Sequence, residues 1–387
     1  MIFSDDVISR TSESFFDAFQ MHPTHISTAP GRINIIGEHT DYNDGLSMPC
    51  AINRWITVTF SPRSDDQIYI ISKDFNQVLF LSMYAGYQPD SDWKKYMYGC
   101  IQILSDVKKL HGGFNALIEG NVPVGSGVSS SAALEVAFMN GLNAFYNLKL
   151  DPLAIIKLCQ RVEHEYLKVK SGLLDQYASQ FSKENNLLVL DFQKNTHTYI
   201  SAEMDEYCWV LCNSNVTRSL AGSKYTERVM ETQAALNQLS ETFPDIKHFR
   251  DIKEIHISAV KNVTQQKRIK HYVLENKRVQ DAIAALEQQD LTHFGALLTA
   301  SHLSLRDLYE VSCDEIDFLM EQAISLPYCL GSRIMGGGFG GCTINLVKKN
   351  CTQEFSKFMK FAYLKRYNMV TEINEYISVD GAHVITL

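Results

Sequence analysis

Hydrophobic and polar positions along the chain follow two periods. Residues 25–36, 56–62, 67–72 and 114–122 are short runs rich in β-branched and aromatic residues and bounded by turn formers, which predicts strands. Between Ser131 and Phe145 the small and apolar residues Ala133, Val136, Ala137 and Leu142 recur at helical spacing, which predicts a buried helix. A further helix is expected over 151–167, where Asp151 and Pro152 form its start signal. Strands are expected around 187–192 and 208–214. From Lys224 to Leu297 the pattern is long, polar and helical, broken at Pro244. A glycine run, Gly336–Gly341, precedes an expected strand at 342–347 and helix at 354–367, and the end, 376–387, reads as strand.

The length of 387 residues suggests two domains. A break near 190–205, written here as 1–195 and 196–387, suits the pattern. Hydrophobic residues make up 45% and charged residues 21%, enough to bury a large core, so disorder is excluded as the main state. A net charge of -8 excludes nucleic-acid binding by bulk charge, though not a local anion site built from backbone N–H groups. No apolar run approaches the roughly 18–20 residues that span a bilayer, so no membrane partner is expected. The first residues carry no basic segment followed by an apolar one, hence no signal peptide. Nine scattered cysteines without a Cys-x-x-Cys pair read as reduced core thiols of a cytoplasmic protein.

Four segments carry candidate chemistry. Ala29–Gly45 packs Arg32, Asn34, Glu38, His39, Asp41 and Asn43 after an alternating strand. Such a set can read several hydroxyl groups of one ligand, or it can be a solvated polar turn. Asn121–Glu135 runs from a strand through Gly125 and Gly127 into three serines that open a helix. That is the arrangement of an anion site, or of a capped helix after a turn. Gly336–Gly341 lets backbone approach something closely. Asp175, in the segment Gly172–Gln176, is an acid among apolar neighbours and a candidate base.

In this order, Gly31–Gly45, Pro123–Glu135 and Gly336–Cys342 resemble the three motifs of the GHMP superfamily of small-molecule kinases, and the first is similar to the signature of its galactokinase family. The resemblance extends between the motifs and covers essentially the whole chain. It implies an α+β, two-lobed GHMP kinase fold. The N-terminal lobe would be like domain 2 of ribosomal protein S5, the C-terminal lobe would be ferredoxin-like, and the active site would lie between them. It implies ATP-dependent phosphorylation of the anomeric hydroxyl of D-galactose, with Mg²⁺, by a monomer. By the same resemblance Asp175 and Arg32 are catalytic, and Glu38, His39, Asp41, Gly172 and Tyr225 bind the sugar. Gly125, Ser126, Gly127, Ser129, Ser130 and Ser131 bind the ATP phosphates, Trp93 and Tyr96 the adenine, and Ser130 and Glu163 the metal. Met335 stands where the family commonly has Thr, and Ser171 where Cys is common. Two other readings share these motifs: a kinase for N-acetylgalactosamine or arabinose, and a galactose- and ATP-binding sensor without activity.

Overall fold

The computed structural model describes residues 5–202, 204, 206–216 and 221–387. The first half runs through helix α1 (Asp5–Phe19), strands β1 (His25–Asn34), β2 (Leu46–Ser47), β3 (Pro49–Pro62), β4 (Gln67–Ser72) and β5 (Gln77–Ser82), helix α2 (Asp92–Val107) and strand β6 (Phe114–Gly120). Helices α3 (Ser130–Phe145), α4 (Pro152–Val162) and α5 (Leu174–Phe181) follow, then the hairpin β7 (Asn186–Asp191) and β8 (Thr196–Ser201). Next come β9 (Tyr207–Asn213) and helices α6 (Ala221–Thr242), α7 (Glu254–Ile257), α8 (Val263–Glu287), α9 (Leu291–Ser304) and α10 (Asp314–Ile324). The chain closes with β10 (Cys329–Met335), β11 (Cys342–Lys348), α11 (Thr352–Tyr367), β12 (Glu372–Tyr376) and β13 (His383–Thr386).

The strands form a six-stranded sheet in the order β13-β1-β3-β6-β4-β5, a four-stranded sheet β10-β11-β9-β12 and a three-stranded sheet β2-β7-β8. Helix α3 is buried from Ala132 to Leu142. It lies between the first sheet and α4 and α5, so its apolar residues cover more than one face. In β9, Cys208, Val210 and Cys212 pack against α10 and α11, while Trp209 and Leu211 join the main core on the other face. Burial on both faces explains the continuous apolar run there.

The division expected at residue 195 falls in the turn between β7 and β8, which pair from Asn186–Ser201 to Asp191–Thr196. Of the terminal stretch 376–387, expected as strand, Tyr376 ends β12 and only His383–Thr386 forms a further strand, β13. β12 joins β9 in the four-stranded sheet, and β13 crosses back to β1. The helix expected over 151–167 is α4 continued by a wider π-type turn, Glu163–Leu167. All nine cysteines are free, and all but Cys351 are buried. Among the described residues no helix is long and apolar enough to cross a membrane.

Candidate active site

A register shift in β1 between Pro30 and Arg32 marks the point where the Arg32 side chain is aimed out of the sheet. Arg32 is buried, with its backbone N–H donating to Val128 O at 3.0 Å. Its Nε and Nη2 lie 2.8 and 2.7 Å from Asp175 Oδ1, and its Nη1 donates to Gly127 O at 2.5 Å. One guanidinium therefore ties the acid in the first turn of α5 to the loop ahead of α3. Ser129 donates its hydroxyl to the other carboxylate oxygen, Asp175 Oδ2. The Asp175 side chain is 34% exposed, so a ligand in the adjoining cavity can reach it.

That cavity, of about 270 Å³, is lined by Arg32, Asp175, Glu38, His39, Asp41, Gly172, Tyr225, Glu163, Ser131 and Tyr96, among others. Glu38 forms one wall. Its Oε1 accepts from Gly336 N at 2.7 Å and pairs with Arg333 Nη2 at 2.8 Å. Arg333 is fully buried in β10 and also donates to Ile35 O at 2.7 Å, which fastens the loop after β1 to the four-stranded sheet. His39 has φ of 59° and is buried; burial, followed by the nearby charges of His271 and Arg228, lowers its pKa to about 3, so it is neutral. Asp41 lies against Gly172: a Cβ on that glycine would sit 1.8 Å from Asp41 Oδ2. Burial, then the charges of Asp175 and Glu38, raises Asp41 to about 7.

The loop ahead of α3 has Gly125, Gly127 and Ser129 at φ of 78°, 72° and 58°. These left-handed turns open into the N-terminus of a 16-residue helix, a setting that favours an anion. A smaller cavity beside the loop is walled by Gly125, Gly127, Met335 and Gly336–Gly341. Ser126 is turned the other way, with Asn213 Nδ2 3.5 Å from its hydroxyl and Cys342 Sγ 3.0 Å from its carbonyl. Trp93 and Tyr96 line an adjoining, mostly apolar cavity with Phe75, Val122, Val124, Ser130 and Leu134. Trp93 stacks on Phe75 at 17° between ring planes, and its indole N–H donates to Gln77 Oε1 at 2.6 Å. Tyr96 and Ser131 line both this slot and the polar cavity, which are thus neighbours.

Of the serines, Ser131 shares the polar cavity with Glu163, whereas Ser130 lines only the apolar slot of the two. Burial chiefly raises Glu163 to about 7, and Ser171 donates its hydroxyl to Glu163 Oε2. Glu135 of α3 was assigned no role from the sequence. It is fully buried, with one oxygen unpartnered, and burial followed by the Glu163 charge pushes its pKa well up. It lies in the apolar helical run, and only the fold brings it near Glu163. Arg333, three residues ahead of the glycine run, is a second such residue. Among the described residues no three His, Cys, Asp or Glu side chains converge to hold a metal unaided. A surplus of carboxylates over cations in the cavity wall still suits a hard cation that completes its shell with phosphate and water.

Comparison with known proteins places the whole chain in one family. Residues 13–62 match the galactokinase galactose-binding signature, 95–183 the GHMP kinases N terminal domain and 282–360 the GHMP kinases C terminal family. The galactokinase of Clostridium beijerinckii is 36% identical over 93% of this chain and 94% of its own length. That of Lactiplantibacillus plantarum is 37% identical over 90% and 92%. The crystal structure of Lactococcus lactis galactokinase complexed with galactose superposes with a TM-score of 0.92 at 34% identity, covering 97% of this chain and 99% of that one. A mevalonate kinase shares the fold, with a TM-score of 0.65 at 20% identity over 92% of this chain and 99% of the other.

Proposed function

The chain belongs to the galactokinase family of the GHMP kinases, and from that membership we propose how its site moves the γ-phosphoryl group of ATP to the anomeric hydroxyl of D-galactose, giving α-D-galactose 1-phosphate and ADP. The observation that carries the reading is the position of Arg32. It joins Asp175 to the backbone of the glycine loop, and the wall beside it bears Glu38, His39 and Asp41. Sugar and triphosphate would meet at that guanidinium.

Phosphoryl transfer requires alignment and charge neutralisation more than covalent chemistry. Asp175 accepts the proton of the attacking hydroxyl, and Arg32 stabilises the transferring phosphoryl group. The left-handed loop and the start of α3 cradle the phosphates, and the slot beside Trp93 and Tyr96 takes the adenine. Glu163 and Ser131 would hold Mg²⁺, which when bound neutralises charge on the phosphates. Ser131 replaces Ser130 in that role because it shares the cavity wall with Glu163. Glu38, His39, Asp41, Gly172 and Tyr225 surround the sugar.

A coupled ADP-release assay with galactose, 2-deoxygalactose, N-acetylgalactosamine, glucose and arabinose tests the proposal. Galactose should give the highest kcat/KM. Preference for N-acetylgalactosamine or arabinose would reassign the substrate. Binding of sugar and ATP without ADP release would make the chain a sensor.

A further inference from the structure

We infer that helix α8 presets the loop between β1 and β2: His271, Glu275 and Asn276 hold its backbone in the shape that presents Glu38, His39 and Asp41, and thereby set affinity for the sugar. The identity of the sugar rests on the proposed function; the contacts stand on the geometry alone. Glu275 Oε1 accepts from Gly37 N at 3.0 Å, and Asn276 Oδ1 accepts from Leu46 N at 2.8 Å. His271 Nε2 lies 3.2 Å from Glu38 O. The three contacts span 238, 230 and 233 positions of the chain, so the loop is set only when α8 docks on it. None of the three side chains lines the sugar cavity. They are positioning residues that act through the loop.

Each contact has one possible polarity. A backbone N–H can only donate and a backbone carbonyl can only accept. Glu275 and Asn276 are therefore the acceptors, and His271 donates from Nε2 to Glu38 O. Burial lowers His271 to about 4, so its ring is neutral, and the bare Nδ1 takes the Ser304 hydroxyl at 2.8 Å. Glu275 is fully buried, with Oε1 also accepting from Ser301 at 2.6 Å and Oε2 pairing with Arg278 Nε at 2.7 Å. Burial opposes its charge, but Arg278 foremost outweighs that and holds Glu275 at about 2, ionised. Asn276 Nδ2 donates to Tyr272 O at 3.0 Å, which turns Oδ1 toward Leu46. Every side chain that supports the loop is itself fixed by a second bond.

The shape of the loop shows what this support does. Strand-like pairing closes it at the base, where Ile35 N donates to Met48 O and Met48 N to Ile36 O. Just above, Gly37 is left-handed at φ of 93°, and a Cβ there would sit 2.4 Å from Leu46 O. The two shoulders of the loop, Gly37 and Leu46, thus lie side by side and rest on consecutive residues of α8. His271, four positions before Glu275, shares its helix face and takes the next carbonyl, that of Glu38. Glu38 is then held at its backbone by α8 and at its carboxylate by Arg333 and Gly336. A loop kept in its binding shape spares the ligand the cost of ordering it. Loss of one tie should weaken sugar binding and leave the nucleotide side, built on the loop ahead of α3, as it was.

The test uses the full chain. Without ligands, the Leu46 amide should exchange with deuterium roughly tenfold faster in Asn276→Ala, which removes its acceptor, than in the parent. In Asn276→Ala, and in His271→Phe, which keeps a ring, KM for galactose should rise about 3- to 10-fold, the size of one lost hydrogen bond. In both, kcat and KM for ATP should stay within about twofold, the signature of lost sugar binding alone. Met359→Ala, a truncation in the separate core beneath α11, is the control for lost stability: it should lower the thermal midpoint at least as much and move neither KM. An unchanged galactose KM in either folded variant overturns the assignment, as does a parallel rise in both KM values or an unaltered Leu46 exchange rate in Asn276→Ala. If one variant does not fold, the other decides. If neither folds, α8 supports the whole fold rather than the loop, which also overturns it. Because exchange needs no sugar, faster Leu46 exchange in Asn276→Ala of a chain that does not phosphorylate galactose would keep the role of α8 and lose the substrate assignment.

Discussion

At the scale of single residues, the site is a set of acids with unequal tasks. The Asp175 side chain is 34% exposed, and its oxygens contact Arg32 and Ser129. Asp175→Asn keeps the shape and removes the proton acceptor. We expect kcat to fall by roughly 10²–10⁴-fold, with galactose affinity by calorimetry within a few-fold of the parent; near-normal turnover would exclude the base role. Asp41 has the opposite character. Burial raises it to about 7, against 3.8 for an ordinary aspartate, so the folded chain holds this proton to higher pH than the unfolded chain does. Stability associated with Asp41 is therefore intact below the ordinary value and lost as pH rises toward 7. Asp41→Asn should leave the thermal midpoint of the ligand-free protein unchanged at pH 3.5 and raise it at pH 8. Equal shifts at both pH values would contradict the raised pKa. Arg32, Glu38, His39 and Asp41 were legible because they sit in one short, chemically dense motif, whereas Asp175 stood out only as an acid among apolar neighbours and through the resemblance. Glu135 and Arg333 were not: Glu135 lies in an apolar helical run and Arg333 just ahead of the glycine run, and Glu163 and Glu38 are brought near them only by the fold.

At the scale of elements, the cavity depends on how loops seat against one another. The loop after the turn Glu163–Leu167 returns through Ser171 and Gly172 into α5. Gln160 Nε2 and His164 Nε2 each lie 3.0 Å from Ser171 O, while the Ser171 hydroxyl meets Glu163. This clasp brings Gly172 under the Asp41 carboxylate. In Gly172→Ala the new methyl would meet Asp41 Oδ2 at 1.8 Å and Cγ at 2.3 Å, both toward the movable end of that side chain. The carboxylate should swing away while the fold persists. We expect a rise in galactose KM of at least tenfold, with the midpoint lowered by a few degrees at most. Collapse of the fold would show the loop to be rigid, and an unchanged KM would remove Asp41 from the sugar site. Strands flanked by turn residues, such as β4, were readable to the residue, because alternation and punctuation agree there. β10 escaped because its sequence, Cys329–Met335, includes Gly331, Ser332 and a buried Arg333, which mask its apolar content.

At the scale of the whole molecule, the two halves of the chain are not two separate bodies. After β12 ends at Tyr376, the last residues leave the four-stranded sheet and strap the first one. Ser378 bridges Ile52, Val379 N donates to Ala51 O at 3.2 Å, and Gly381 N donates to Ser182 O at 2.7 Å, just beyond the end of α5. β13 then pairs with β1 from His25–Thr386 to Thr28–His383. Pattern alone could not reveal this, since the partner of an edge strand is chosen by the finished sheet, not by local periodicity. The strap touches the two elements that carry the ion-paired side chains proposed as catalytic, β1 with Arg32 and α5 with Asp175. A chain ended after Tyr376 should leave β1 as an open edge and free the end of α5. We expect a midpoint several degrees lower, from the loss of a handful of backbone hydrogen bonds at about 0.5–1.5 kcal/mol each. We also expect a larger fall in kcat than rise in KM for galactose, because the Arg32–Asp175 alignment loosens while Glu38 stays fastened to Arg333. Adding the 377–387 segment back as a peptide should restore part of both quantities. A truncated chain with unchanged midpoint and kcat would show that the strap is dispensable and that the first sheet positions Arg32 without its terminal strand.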